Sequence, residues 1–224
     1  MPKRINQALD GIYHECAVSL SNLIGGRCNA LKVHDLVDLE GAPRLIPVLK
    51  ETGTKVWVDY KLHDTPDTVG KRARALRKNG ADIITVHASG EVKMMKAAVD
   101  SGALILAVTI LTSLEEYEVS KVYGNIPSQK VPEFALMAKE AGCYGIVCSP
   151  LEVGLLAAMP ELAGMKFVTP GVRSSGVAMN DQKRVGTPRG ALLDGAAEVV
   201  VGRQVSEAES PLEAFDMLLS ELPT

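Results

Sequence analysis

The run Val58-Asp59-Tyr60-Lys61-Leu62-His63-Asp64-Thr65-Pro66 places two carboxylates and an amine within a few residues, directly after the apolar, β-prone stretch Val56-Trp57-Val58. Side chains on a strand alternate faces, so Asp59 and Lys61 are expected side by side at the strand's carboxyl end. Asp64 falls in the following turn, ahead of a helix opening near Pro66. Alternating charges aimed into one pocket are expensive to bury unless they pair. At a strand's end such a cluster reads as a reaction site, with paired charges set against a bound molecule, rather than as core. Taken alone, Asp64 reads better as a cap of the Pro66 helix, with Asp67 and Thr68 in its first turn.

The elements that must carry this cluster alternate. Apolar, strand-like runs cover Ile5–Leu9, Asn29–Val33, Lys55–Tyr60, Ile83–His87, Leu104–Thr109, Gly145–Cys148, Lys166–Thr169 and Val199–Gly202. Helical stretches lie near Gly11–Ile24, Ala42–Thr52, Pro66–Asn79, Val92–Asp100, Pro132–Ala141, Leu151–Met159 and Pro188–Leu193, with Pro211–Leu219 closing the chain. Glycines such as Gly25, Gly53, Gly80 and Gly102 stop several of these helices before the next strand. Strand–helix alternation with apolar strands predicts a parallel sheet covered on both faces. Eight units in a 224-residue chain fit a single-domain (β/α)8 TIM barrel near its lower size limit. The rival, a doubly wound open sheet, usually opens on a glycine-rich turn, and neither GxGxxG nor a P-loop is present. The first strand is polar at Asn6 and Gln7, and Ser113–Lys130 is the longest irregular stretch, a candidate lid.

Composition narrows the partners. A formal net charge of −3 argues against a broad nucleic-acid or anionic-membrane surface. The four cysteines, Cys16, Cys28, Cys143 and Cys148, lack zinc spacing, and reduced thiols in a cytoplasmic protein are expected. No stretch approaches the ~20 apolar residues of a membrane span. His14, His34 and His63 share no metal-like spacing, so neither metal nor cofactor is assigned.

In the expected barrel all strands exit on one face, and active sites sit there. The exits present Asp10, Lys32, Asp59 with Lys61, His87, Thr109 with Thr112, Cys148-Ser149, Pro170 to Arg173, and Gly202-Arg203. A lone Asp10 reads almost as well as a helix cap, and a lone Lys32 as a solvated end; grouped with Asp59 and Lys61 they read as a functional ion cluster. His87 reads as a satisfied structural histidine. The last two exits read as a phosphate site, because loops seven and eight of this barrel commonly grip phosphate through backbone N–H groups. Arg203 adds a bidentate charge, and Gln182 is a candidate loop donor. Lys183 and Arg184 read as solvated charges.

Lys32, Asp59-x-Lys61-x-x-Asp64, Val108-Thr109-Ile110-Leu111-Thr112-Ser113, Thr169-Pro170-Gly171-Val172-Arg173, Asp181-Gln182-Lys183-Arg184-Val185 and Val201-Gly202-Arg203 together closely resemble the orotidine 5′-phosphate decarboxylase family, nearly end to end and in order. The resemblance implies a carboxy-lyase of de novo pyrimidine biosynthesis that makes uridine 5′-monophosphate and CO₂ without metal or cofactor. It implies a Lys32-Asp59-Lys61-Asp64 charge network, with Lys61 the proton donor. It implies ribose contacts at Asp10 and Lys32, a pyrimidine contact at Thr112, a phosphate grip from Gln182, Gly202 and Arg203, and a further ligand contact at Arg173. It also implies a homodimer in which Asp64 and Thr68 reach the partner's site. His34 departs from the family, where glycine is common. The rivals are a metal-dependent sugar-phosphate enzyme of the same superfamily, which carries an acidic residue where Lys32 stands, and a non-catalytic nucleotide binder.

Overall fold

The computed structural model describes residues 3–174 and 186–223. Eight parallel strands close in sequence order into a barrel: β1 Ile5–Ala8, β2 Ala30–Val33, β3 Lys55–Leu62, β4 Ile83–His87, β5 Leu104–Val108, β6 Gly145–Val147, β7 Lys166–Thr169 and β8 Glu198–Val201. Closure is made by β1 against β8, with Ile5 opposite Val199 and Gln7 opposite Val201. The helices are α1 His14–Ile24, α2 Asp35–Glu40, α3 Ala42–Lys50, α4 Pro66–Lys78, α5 Glu91–Val99, α6 Glu116–Tyr123, α7 Pro127–Glu140, α8 Val153–Ala157, α9 Pro188–Leu193, α10 Arg203–Ser206 and α11 Pro211–Glu221. None of the described helices is long and apolar enough to cross a membrane.

Every expected strand forms, each within two residues of its expected bounds at either end. Two helical expectations change. Ser113–Lys130 is not irregular but largely helical. Glu115 and Glu118 form a capping box that starts α6, with the Glu115 N–H donating to Glu118 at 2.8 Å. Pro127 then opens α7 at the position where a missing N–H costs least. The expected start at Pro132 therefore lies in the second turn of that helix.

The core has two layers. Between strands and helices lie Ile5, Leu31, Val58, Ile84 and Val199 with helix residues such as Leu45 and Met94. Inside the barrel, Ala30, Trp57, Ile83, Leu106, Val147, Val168 and Val200 fill the lumen. Alternation along each strand divides the two sets.

The polar β1 is explained by what it meets. Asn6 is fully buried and joins a network at the amino-terminal floor of the barrel. Its amide donates to Glu198 at 2.9 Å, and its oxygen accepts from Asn29 at 2.9 Å. Lys55 donates to the Asn29 oxygen at 2.9 Å. Gln7, also buried, donates to the Ala8 carbonyl at 2.8 Å. The buried Asn6 is tolerable because it is bonded in this way, whereas Gln7 Oε1 is buried without a hydrogen-bond partner among the described residues.

Burial raises the Glu198 carboxyl above its ordinary value, outweighing the Asn6 bond and the pull of Lys55 and Lys166. A carboxyl raised in the folded state contributes stability that is full below its unfolded value and is lost as pH rises through its folded value. Glu198→Gln is therefore expected to melt higher than wild type at neutral pH and to converge with it in acid. A gain of about 1 kcal/mol corresponds to about 2–4 °C in a domain of this size. Thermal melts across pH check this.

Candidate active site

At the carboxyl ends of the strands lies a cavity of about 540 Å³. Asp10, Lys32, Asp59 and Lys61 line one side; Thr112, Arg173, Gly202 and Arg203 line it elsewhere. Trp57, Leu111, Val147 and Val200 supply an apolar base. Four cationic side chains (Lys32, Lys61, Arg173, Arg203) face two carboxylates (Asp10, Asp59) among the described lining residues. The cavity thus combines an excess of cationic groups, suited to an anion, with an apolar base.

Asp59 is the centre of the cluster. One carboxylate oxygen, Oδ2, accepts from Lys61 Nζ at 2.8 Å and lies 3.1 Å from Lys32 Nζ. Lys32 also pairs with Asp10. The other oxygen, Oδ1, accepts from the Thr85 hydroxyl at 2.8 Å. Burial alone would raise Asp59, but Lys32, Lys61 and the hydrogen bonds together hold it below the usual carboxylate range. Burial would likewise lower the Lys32 ammonium, and the Asp59 and Asp10 carboxylates together reverse this and raise it. Both groups stay ionised although each is more than nine-tenths inaccessible.

Asp59 and Lys61 do meet, but not by simple alternation. The β3–β4 register is regular through Val58–Ile84, then resumes at Leu62–Val86. Between those pairs β3 carries three residues and β4 only Thr85. Lys61 itself has φ 48°, a left-handed backbone. The bulge brings the ammonium back onto its neighbour two residues earlier.

Asp64 and Thr68 do not line the cavity. Asp64 is exposed and accepts from the Thr65 N–H at 2.6 Å. The Thr65 hydroxyl donates to Thr68 at 3.0 Å. The helix cap is Thr65, not Asp64. The β7 exit is tied down where Arg173 N–H donates to Gly186 at 3.0 Å and Ser174 N–H donates to Gln204 at 3.1 Å. Gln182 lies outside the described residues. His87 also lies outside the cavity lining, edge-on to His63 at 5.8 Å. Burial, with His63 and Lys61 nearby, lowers its pKa.

Residues 3–218 match the sequence profile described as the orotidine 5′-phosphate decarboxylase / HUMPS family. The chain belongs to that family. It is 41% identical to the orotidine 5′-phosphate decarboxylase of Staphylococcus aureus (strain Newman) over 184 residues, 77% of this chain and 78% of that protein. The crystal structure of orotidine 5′-phosphate decarboxylase from Lactobacillus acidophilus superposes with a TM-score of 0.82 at 31% identity, covering 100% of both chains. That from Pyrococcus horikoshii OT3 also gives 0.82, at 25% identity over 97% of this chain and 98% of that one.

Within this family barrel, sequence reasoning missed Thr85 and Gln204. Thr85 had a readable signal: a hydroxyl inside the apolar run Ile83-Ile84-Thr85-Val86, on the same face as the lumen residue Ile83. Gln204 had none, because its partner Ser174 is 30 residues away.

Removing the central anion leaves the buried Lys32 ammonium facing that of Lys61 with no carboxylate between them. Asp59→Asn is expected to destabilise the fold by about 3 kcal/mol in chemical denaturation at neutral pH. A carboxyl lowered in the folded state contributes stability that is present above its unfolded value and lost as pH falls through its folded value. The gap to wild type should therefore narrow in acid.

Proposed function

We propose that this chain decarboxylates orotidine 5′-monophosphate to uridine 5′-monophosphate, in de novo pyrimidine synthesis, without a metal. The observation that carries the reading is the Lys32–Asp59–Lys61 contact set in the cavity, together with close relatives named for that reaction. A superfamily enzyme that relies on Mg²⁺ needs a further carboxylate where Lys32 stands. Here that position holds an ammonium, already paired with Asp10 and Asp59.

In this reading the C6–carboxylate bond breaks, CO₂ departs, and the electron pair remains on C6. Lys61, the most accessible ammonium of the cluster at 31% exposure, stabilises that carbanion and delivers its proton to C6. Asp59 sets negative charge beside the departing carboxylate, a repulsion relieved as CO₂ leaves. Asp10 Oδ1 is buried without a hydrogen-bond partner among the described residues, an acceptor suited to a ribose hydroxyl. Lys32 supplies the companion donor. Thr112 contacts the pyrimidine, while Gly202, Arg203 and Gln182 take the phosphate and Arg173 adds a ligand contact. Binding energy from the remote phosphate then organises the charged end.

The same proposal makes the working unit a homodimer, with Asp64 and Thr68 of one protomer serving its partner's site. A recess lined by Lys61, His63, Arg72 and His87 adjoins the cluster and suits an incoming carboxylate.

Lys61→Ala is expected to lower kcat by on the order of 10⁴-fold or more, since it removes both proton donor and cation, while circular dichroism and oligomeric state stay as in wild type. Full activity in that variant contradicts the mechanism. The shared site has its own check. Lys61→Ala and Asp64→Ala chains, each inactive, are mixed and allowed to exchange subunits. Random exchange makes half the dimers mixed, each with one intact site, so about a quarter of wild-type activity should return in a two-fold symmetric dimer. Sites built within one chain would recover none.

A further inference from the structure

We infer that Thr85 is the positioning residue of the charge cluster: its hydroxyl fixes the Asp59 carboxylate and the left-handed backbone of Lys61 together, and so sets where the Lys61 ammonium is presented. The inference rests on the proposed decarboxylase reading for its kinetic consequences, but its geometry stands apart from that reading.

Thr85 is fully buried on β4, directly opposite the three-residue interruption of β3 between Val58 and Leu62. A regular ladder would give the Lys61 N–H a backbone carbonyl. Here it donates to the Thr85 Oγ1 at 3.0 Å. A hydroxyl has one proton to give and two lone pairs to receive with. An ionised carboxylate only accepts, so the Thr85 proton lies on the bond to Asp59 Oδ1, at 2.8 Å. The result is a directed chain from the Lys61 N–H through the Thr85 hydroxyl to Asp59, whose other oxygen receives the Lys61 ammonium at 2.8 Å. Backbone and side chain of the same lysine are thus anchored to one carboxylate from opposite ends. Such chains polarise each link and strengthen it.

The backbone at Lys61 needs this support. At φ 48° a residue with a side chain occupies a region that glycine accepts and lysine does not favour. Such conformations persist where the surroundings over-determine them, and they gather at functional sites. The Thr85 hydroxyl is the hydrogen-bond partner of the Lys61 N–H and of Asp59 Oδ1 alike. Valine at 85 matches the shape of threonine and deletes both bonds at once. The bond also helps hold the Asp59 carboxyl low.

The test compares Thr85→Val and Thr85→Ser with wild type in orotidine 5′-monophosphate turnover across pH and in crystal structures. Thr85→Val should lose on the order of 10²-fold in kcat, the scale of a misplaced catalytic group, with KM little changed because the phosphate grip is remote. The acid limb of its kcat/KM profile should move to higher pH, since Asp59 loses a bond that favours its charged form. Thr85→Ser, which keeps the hydroxyl, should return within a few-fold of wild type. In the Val crystal structure Lys61 should leave the left-handed region and the Lys61–Asp59 contact should lengthen. If the Val variant does not fold, Thr85→Ala gives the same readings. An unshifted acid limb with wild-type kcat, failure of serine to rescue, or an unmoved Lys61 in the crystal overturns the inference. Wild-type protein inert toward the nucleotide overturns the proposed function instead, and the crystal comparison then decides Thr85 alone.

Discussion

Asp59 is held ionised in a nearly inaccessible position because two ammonium groups and a hydroxyl converge on it. Without them, burial would push it toward the neutral form, and the two lysines would repel at close range. Lys32 depends on Asp59 and Asp10 in the same manner. The cluster therefore has a coupled centre, in which the buried Asp59 and Lys32 each keep their charge through the groups that surround them. Three adjacent strands must deliver those charges to one point, which places strict demands on strand order and register. The in-order closed barrel meets them.

The barrel separates two charged assemblies. The site occupies the carboxyl end, and the Asn6–Glu198–Asn29–Lys55 network occupies the amino end. Between them Trp57, Ile83, Leu106, Val168 and Val200 fill the lumen. This apolar layer keeps water from running through the barrel and keeps the local dielectric low beneath the site. Low dielectric strengthens every fixed charge above it. The two polar ends differ in balance: the floor carries a carboxyl that burial raises, whereas the site carries one that its cations lower.

Much of this was legible in the residues. Strand order, the exits that carry Asp10, Lys32, Asp59 and Lys61, and the cationic seventh and eighth exits all follow from alternation of apolar runs with helical stretches. What was not legible depended on contacts across the fold. Asn6 and Gln7 made β1 look weak because their partners, Glu198 and Gly202, lie at the other end of the chain. The α6 helix was hidden because Ser113–Lys130 carries little apolar periodicity, and its start depends on a capping box. Alternation correctly paired Asp59 with Lys61, yet the geometry that joins them is a bulge with a left-handed lysine, set by Thr85 on the neighbouring strand. A period-two argument holds no information about that.

The central proposal is that the paired lysines and Asp59 carry out decarboxylation without a metal. The measurement that tests it most directly is the absorbance change of orotidine 5′-monophosphate on adding purified wild-type protein, with and without EDTA. The account predicts conversion to uridine 5′-monophosphate at a rate that EDTA leaves unchanged. No conversion of the nucleotide, together with EDTA-sensitive activity on a pentulose or hexulose phosphate, would contradict it.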